Sequence, residues 1–235
     1  MSELEFKFKK FSISQGQHGM KVGTDGVLLG AWADLTGCKT ILDIGTGTGI
    51  IAIMAAQRNA EAMITAIEIM PEAAHQAMAN TEASPWGRRI NVLCTDVREY
   101  SPASSPDAIL CNPPYFQRSL TSPDKNRNLS RHDCSLSFEE LVNCAVRMSS
   151  DLTRFNIILP FVSFGTFTGI AAESGLHLQR MTQVFTRQGK PAKRVLASFG
   201  KRHIDGEQDT LTLEDNQGKA TAEYVRLVKD FYLKF

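Results

Sequence analysis

Asn112-Pro-Pro-Tyr115 follows a short apolar run directly and combines a side-chain amide with two prolines and a tyrosine. An exocyclic amine on a nucleobase is a poor nucleophile because its lone pair is delocalised into the ring. The Asn112 side-chain oxygen and the Pro113 carbonyl can each accept one N–H bond of such an amine, which aims the lone pair at an incoming methyl group. The prolines fix the turn, and Tyr115 offers a face for an unstacked base. The tetrapeptide predicts a site that activates an amine, although these residue types also suit a simple strand-terminating turn.

A glycine-rich turn lies upstream, in Asp43-Ile-Gly-Thr-Gly-Thr-Gly49. Its glycines, Gly45 and Gly47 among them, let the backbone turn tightly and approach a ligand closely. The dinucleotide fingerprint G-x-G-x-x-G would need glycine at position 50, where the chain has Ile50. Asp43 would repel a pyrophosphate but can meet a cationic ammonium. The turn therefore favours a ligand with an amino-acid end over a dinucleotide.

Two more carboxylates follow the next two predicted strands. Glu68 closes one of them, where a carboxylate can accept hydrogen bonds from both ribose hydroxyls. Asp96 follows the other, where it can accept from the exocyclic amine of an adenine. Ile69 and Val97, next to these acids, are expected to flank that adenine. In this order, the glycine turn and the two acids resemble the S-adenosylmethionine site of class I methyltransferases.

Strands and helices alternate along most of the chain, which predicts an α/β fold with a mostly parallel sheet covered on both faces. Two consecutive strands near the end predict an antiparallel hairpin at one edge of the sheet. Ligands in such a sheet bind beyond the carboxyl ends of the strands, where all the residues above are expected to lie. The predicted strands are 40–44, 63–67, 90–94, 107–111, 154–160, 177–187 and 194–200, and the predicted helices are 50–58, 71–82, 138–148, 162–174 and 222–235.

Composition predicts one globular, cytoplasmic domain. The chain has 235 residues, of which 43% are hydrophobic and 22% charged. Its longest apolar stretch, 50–56, is far short of the ~20 residues that span a bilayer, and acids in the first residues argue against a secretion signal. Five cysteines, with no Cys-x-x-Cys pair, argue against disulfides and structural zinc. We therefore expect no membrane association and no metal.

The net charge is only +1, but basic residues are segregated. Residues 186–203 contain six Lys or Arg and no acid, and residues 117–132 contain four and one acid. Segregation of this kind can produce a surface that faces nucleic acid on a near-neutral protein, although two solvated loops would look the same. The basic residues expected to contact RNA are Lys7, Lys9, Lys10, Arg118, Arg127, Arg131, Arg187, Lys190, Lys193 and Arg194.

From about Phe6 to the end, the chain resembles the bacterial valine-tRNA adenine-37 N6-methyltransferase family. The resemblance rests on the residues above, the upstream segment 15–30, Arg131-His132, the basic segment 186–194 and the tail 229–235. It implies a single Rossmann-like class I domain with a seven-stranded sheet, in which residues 1–38 form an extension over the donor site. It also implies S-adenosylmethionine as donor, tRNA as substrate and no obligate protein partner.

Carried over residue by residue, the resemblance implies two sets of site residues, and the chemistry requires no acid–base role for His18 or His132. The target adenine would lie against Asn112, Pro113 and Tyr115. The donor would bind Lys21, Thr24, Asp43, Gly45, Gly47, Glu68, Ile69, Asp96, Val97 and Asn112.

Other functions remain open at this point. The amine could belong to an rRNA or DNA adenine or to a protein glutamine. The lack of a separate recognition domain argues against sequence-specific DNA work, and a glutamine enzyme would need no basic segment. A non-catalytic nucleic-acid-binding module would keep the fold and have no use for Asn112.

Overall fold

The computed structural model describes residues 5–15, 22–113 and 136–235. Between residues 40 and 200 it confirms the predicted strands and helices, with ends moved by no more than two residues. None of the described helices is long and apolar enough to cross a membrane. The described strands are β1 (Glu5–Lys7), β2 (Ser12–Ser14), β3 (Thr40–Ile44), β4 (Met63–Glu68), β5 (Ile90–Cys94), β6 (Ala108–Cys111), β7 (Arg154–Pro160), β8 (His177–Arg187), β9 (Ala192–Gly200) and β10 (Glu207–Glu214). The described helices are α1 (Thr24–Trp32), α2 (Ile50–Arg58), α3 (Pro71–Ala83), α4 (Phe138–Met148), α5 (Phe161–Glu173) and α6 (Ala222–Val228), with a short 3-10 turn at Gly87–Arg89.

The main sheet has the order β10-β8-β9-β7-β6-β3-β4-β5. Five adjacent strands of this sheet, β7, β6, β3, β4 and β5, are parallel to one another. Strand β9 is antiparallel to both of its neighbours, β7 and β8. This confirms the predicted fold class. The parallel strands and β8 therefore end along one rim, which also holds the β8–β9 turn and which we call the carboxyl edge.

The expected count of seven strands is wrong, because the sheet has eight. The extra strand β10 pairs in parallel with β8 and forms the outer edge, so the β8–β9 hairpin is not itself at the edge. The sequence of β10 does not predict a strand clearly, because only Leu211 is buried and the first four residues of the strand are exposed. An edge strand that covers little core has a weak hydrophobic pattern.

Two apolar layers cover the sheet, as its buried strands require. One layer contains α1, α2 and Ile41 of β3, and the other contains α4, α5 and Leu42 of the same strand. Successive side chains along a strand point to opposite faces of the sheet, so β3 contributes residues to both layers. Helix α4 begins with a capping box in which the Ser137 hydroxyl accepts from the Glu140 amide.

The two ends of the chain pack together. Strands β1 and β2 form an antiparallel hairpin that the sequence did not predict. Phe8 of this hairpin is buried and its ring stacks on Tyr232, 5.7 Å between centroids. The terminal helix ends at Val228 instead of continuing to residue 235, but Tyr224, Val228 and Phe231 are buried. The expectation of a packed tail is thus confirmed, although the tail is only half helical.

Candidate active site

The glycine turn occupies the end of β3 on the carboxyl edge. The amides of Gly45 and Thr46 both donate to the Ile67 carbonyl at 2.9 Å, which ties the turn to β4. Gly45 has φ +68°, and a Cβ there would meet nothing within 4 Å, so this backbone faces open space. Gly49 has φ +82°, and a Cβ there would lie 3.2 Å from Thr81 of α3. The turn therefore needs glycine for its left-handed conformation and presents bare backbone to a ligand.

Asp43, the next-to-last residue of β3, is fully buried. The Thr46 hydroxyl donates to its Oδ2 at 2.6 Å, whereas Oδ1 is buried with no hydrogen-bond partner among the described residues. Burial raises the pKa of Asp43 to about 7, against the lowering effect of the Thr46 hydroxyl. A buried acceptor without a donor is costly. An ammonium group beside Oδ1 would supply that donor, so the site fits the amino-acid end of S-adenosylmethionine.

Glu68 ends β4 beside the glycine turn. Its Oε2 accepts from the Gly47 amide and its Oε1 from the Met70 amide, both at 3.0 Å. These backbone donors fix the carboxylate on both sides while each oxygen retains a free lone pair. Ile69, the next residue, is partly exposed. The arrangement is suited to accepting hydrogen bonds from a vicinal diol.

Asp96 and Val97 follow β5, the outer strand at this end of the sheet. The Arg98 guanidinium binds Asp96, with Nη2 to Oδ2 at 2.5 Å, and holds the pKa of that carboxyl below its usual value. Arg98 also reaches Glu140 at 3.0 Å. Val97 is buried in the apolar layer of α4 and α5. Asp96 is therefore an oriented, charged acceptor, and Val97 packs in the core beneath it.

Asn112 and Pro113 leave the end of β6, which pairs directly with β3. Asn112 is half-buried and Pro113 is buried. A Cβ placed on Gly26 would lie 4.0 Å from Asn112 Nδ2, so the first turn of α1, which begins at Thr24, lies against the amide. The donor turn and the amine-binding amide thus emerge from adjacent strands. Seven residues named in the sequence analysis lie outside the described ranges: His18, Lys21, Tyr115, Arg118, Arg127, Arg131 and His132.

The basic residues of β8 and β9 lie on the same edge as Asn112, but their side chains are used differently. Lys190 and Lys193 are exposed. Arg187 pairs with Glu214 at 3.0 Å, and Arg194 pairs with Asp25 of α1 at 2.7 Å. The two lysines are available to a polyanion, whereas each arginine has a carboxylate partner.

The basic residues at the start of the chain lie elsewhere. Lys7 is 3.5 Å from Glu5 in β1. The Lys9 amine donates to the carbonyls of Lys229 and Phe235 and joins the hairpin to the tail. Lys9 and the exposed Lys10 form the turn of this hairpin, whereas Asn80 joins its opposite end to the glycine turn. This group is therefore bound to the tail of the chain.

Asn80 of α3 is a site residue that the sequence analysis missed. Its Nδ2 donates to the carbonyls of Ser14 at 3.0 Å and Thr48 at 2.9 Å, and its Oδ1 accepts from the Ser14 amide at 2.9 Å. The side chain is buried and connects the N-terminal hairpin to the glycine turn. No sequence signal marks it, because an asparagine inside a helix is unremarkable until its long-range partners are known.

Metal and thiol chemistry have little support in the described ranges. No group of three or more His, Cys, Asp or Glu side chains there could hold a metal ion. Cys38, Cys94, Cys111 and Cys144 are free thiols. Burial raises the pKa of Cys111 well above its usual value, which keeps this thiol beside Asp43 protonated.

Relatives share both the sequence and the fold. Residues 21–132 match the family model described as Methyltransferase small domain. A tRNA1(Val) (adenine(37)-N6)-methyltransferase of Bacteroides fragilis is 43% identical over 100% of both chains, and one of Aliivibrio salmonicida is 40% identical over 97% of both.

Solved structures show the same fold at lower identity. A predicted O-methyltransferase from Agrobacterium tumefaciens superposes with a TM-score of 0.68 and 22% identity, covering 88% of this chain and 96% of its own. A ribosomal protein L11 methylase from Lactobacillus delbrueckii gives 0.54 and 16%, over 76% and 77%. These two show the fold alone, while the full-length identity shows the family. The chain belongs to the tRNA1(Val) (adenine(37)-N6)-methyltransferase family.

Proposed function

We propose that this protein transfers the methyl group of S-adenosylmethionine to N6 of adenine 37 in valine tRNA. The observation that carries the proposal is the pairing of β3 with β6, in which Ile44 is the register partner of Cys111. The residues that follow these two are Gly45 of the glycine turn and Asn112. The donor-binding turn and the amine-binding amide therefore start at adjacent positions on neighbouring strands, about 4.8 Å apart across the sheet.

Residues on three adjacent strands hold the donor. Asp43 receives the ammonium through its unpartnered Oδ1, and the backbone of Gly45 and Gly47 allows close approach. Glu68 accepts from the ribose hydroxyls, and Asp96 accepts from the adenine amine. The same proposal assigns Ile69 and Val97 to the adenine faces, and Lys21, Thr24 and Asn112 to the remaining donor contacts.

The chemistry needs positioning more than a strong base. S-adenosylmethionine supplies an electrophilic methyl group on a sulfonium. The Asn112 side-chain oxygen and the Pro113 carbonyl accept the two N6–H bonds and turn the nitrogen lone pair towards the methyl carbon, while Tyr115 stacks on the base. A bond forms between N6 and the methyl carbon as the carbon–sulfur bond breaks, and N6 then releases one proton to solvent.

The RNA is held by basic residues outside the reaction centre. Lys190 and Lys193 are exposed beside the carboxyl edge and suit phosphates. Apart from Arg194, which Asp25 holds, the proposal includes the other basic residues named above, a single domain in which residues 1–38 extend over the donor, and action in the cytoplasm without an obligate protein partner. One continuous main sheet covered by two apolar layers supports the single-domain organisation.

The test is methyl transfer from radiolabelled S-adenosylmethionine into total tRNA, rRNA, DNA and soluble protein from cells that lack this protein. We expect label in tRNA, recovered as N6-methyladenosine at adenine 37 of the valine isoacceptor. Label only in rRNA, DNA or glutamine would contradict the substrate while leaving the donor site intact. Donor binding without transfer to any of the four would favour the non-catalytic module.

Asn112→Ala sharpens this test. It should abolish most transfer while leaving donor affinity within a few-fold, because the amide acts on the target amine and most of the proposed donor contacts are made by other residues. Asn91→Ala, at an exposed position on β5, three strands away from β6 in the sheet, is the matched control and should retain full transfer. Equal activity of the two variants would rule out the role assigned to Asn112.

A further inference from the structure

Phe161 and Val162 form an exposed apolar pair at the start of α5, directly after the end of β7. Their exposed fractions are 43% and 90%. Of the large hydrophobic side chains that are strongly exposed in the described ranges, Phe161 is the one aromatic residue. The pair lies on the carboxyl edge, on the strand next to the one that carries Asn112. Phe164 and Phe167 of the same helix pack in the apolar layer, whereas Phe161 is not part of it.

The distance to the target amine is short. In the register of β6 and β7, Cys111 faces Ile157. Extending that register two residues past the end of β6 puts Pro113 opposite Leu159, with Phe161 two residues beyond. On this extrapolation, with ~3.3 Å per residue and ~4.8 Å between strands, the backbones of Pro113 and Phe161 lie roughly 8 Å apart. A nucleotide adjacent to one bound at Asn112 could reach the Phe161 ring.

A lysine leaves the sheet beside this residue. Pro160 is the register partner of Arg194, so the next residue on each chain segment, Phe161 and Lys193, leave the sheet side by side. The register of β8 and β9 shifts at this point, from Val184 opposite Arg194 to Phe185 opposite Ala192, so Lys193 is the bulged residue of β9. Lys193 is exposed, whereas Arg194 pairs with Asp25 of α1. The first turn of α5 contains no acid to neutralise the lysine.

From this juxtaposition we propose that Phe161 and Lys193 bind the RNA nucleotide next to the target adenine, with its base stacked on the ring and its phosphate on the ammonium. An aromatic face beside a basic side chain is the usual recognition unit for unstacked single strands. Val162 widens the apolar platform. The inference rests on the proposed function and extends it, because it assigns a second base-binding position to the same site.

The first experiment compares substitutions at Phe161 with one at Leu152, which is 67% exposed just before the opposite end of β7. Steady-state methylation of valine tRNA should show KM for tRNA raised about 5- to 150-fold in Phe161→Ala, the range associated with loss of one base–aromatic stack. Phe161→Leu, which keeps apolar area without a ring, should be similarly impaired, and Phe161→Tyr should restore KM. Leu152→Ala and the donor Kd of every variant should match wild type.

The second experiment removes the base from the RNA. A valine tRNA anticodon stem-loop with an abasic site on either side of adenine 37 is used with wild type and Phe161→Ala. One of the two abasic positions should weaken wild-type binding and make the two proteins equivalent.

Three results separate the hypotheses. If Phe161→Ala behaves like Leu152→Ala on intact RNA, the stacking inference is wrong. It is also wrong if the cost of Phe161→Ala is unchanged on both abasic RNAs. Wild-type protein that fails to methylate the intact RNA would instead overturn the proposed function, and this inference with it.

Discussion

Arg194 Nε donates to Asp25 Oδ2 at 2.7 Å and joins β9 to the first turn of α1. Asp25 precedes Gly26, where an added Cβ would lie 4.0 Å from Asn112 Nδ2. The two partners are 169 residues apart in the chain and are both partly buried. The arginine therefore fixes the helix that lies against the amine-binding amide, and it is less available to RNA than its basic neighbours.

The first prediction contrasts Arg194 with Lys193. Lys193→Ala should reduce the slope of log Kd for tRNA against log salt by about 1, since an exposed phosphate contact is lost. Arg194→Ala should leave that slope unchanged and lower kcat, because α1 is less firmly held beside Asn112. Its stability cost should be about 1 kcal/mol, as expected for a partly exposed pair. Filter binding across a salt series and single-turnover rates give both quantities. An equal reduction of the salt-dependence slope in the two variants would show that Arg194 contacts an RNA phosphate instead.

The second prediction concerns stability and pH. Burial raises the pKa of Asp43 from 3.8 to about 7, so the folded protein keeps a proton that the unfolded chain releases at lower pH. The resulting stabilisation is complete below about pH 4 and is lost as the pH rises through about 7, with a total of up to ~4 kcal/mol. Asp43→Asn lacks this titration. The unfolding free energy of wild type minus that of the variant, from urea denaturation, should therefore fall across this window. A difference that is constant with pH would show that Asp43 is ionised in the folded state.

The third prediction concerns donor affinity. An ionised Asp43 pairs with the ammonium of S-adenosylmethionine, whereas the protonated acid does not. Donor Kd measured by calorimetry should therefore tighten as the pH rises through about 7 and level off above it. Asp43→Asn should bind weakly at every pH, with no such transition. A wild-type donor Kd that does not change from pH 6 to 8 would show that Asp43 does not pair with the ammonium.

The fourth prediction tests the connection made by Asn80. Asn80→Asp retains an acceptor for the Ser14 amide but cannot donate to the carbonyls of Ser14 and Thr48. Loss of donors to buried acceptors costs roughly 1–3 kcal/mol, and the glycine turn should become less ordered. We expect KM for the donor to rise about tenfold or more with kcat within threefold of wild type. Asn91→Ala serves as control, and a fall in kcat with unchanged KM would show that Asn80 does not position the donor turn.

Much of the site could be predicted locally. Asp43, the glycines and Glu68 lie at strand ends that the hydrophobic runs reveal, and parallel strands bring their carboxyl ends to one edge. The Asn112 position was predicted for the same reason. β10 escaped prediction because it buries little, and the β1–β2 hairpin because its strands have only three residues each.

The sequence by itself determined the fold class, the donor turn and the amine-binding amide, since each depends on residue types within a few positions of a strand end. Only the tertiary structure decided which basic side chains are free, that Asn80 touches the donor turn, and that Phe161 stands beside Lys193. Those relationships join residues far apart in the chain. They depend on the order and register of the strands, and no local spacing encodes the insertion of β9 between β7 and β8.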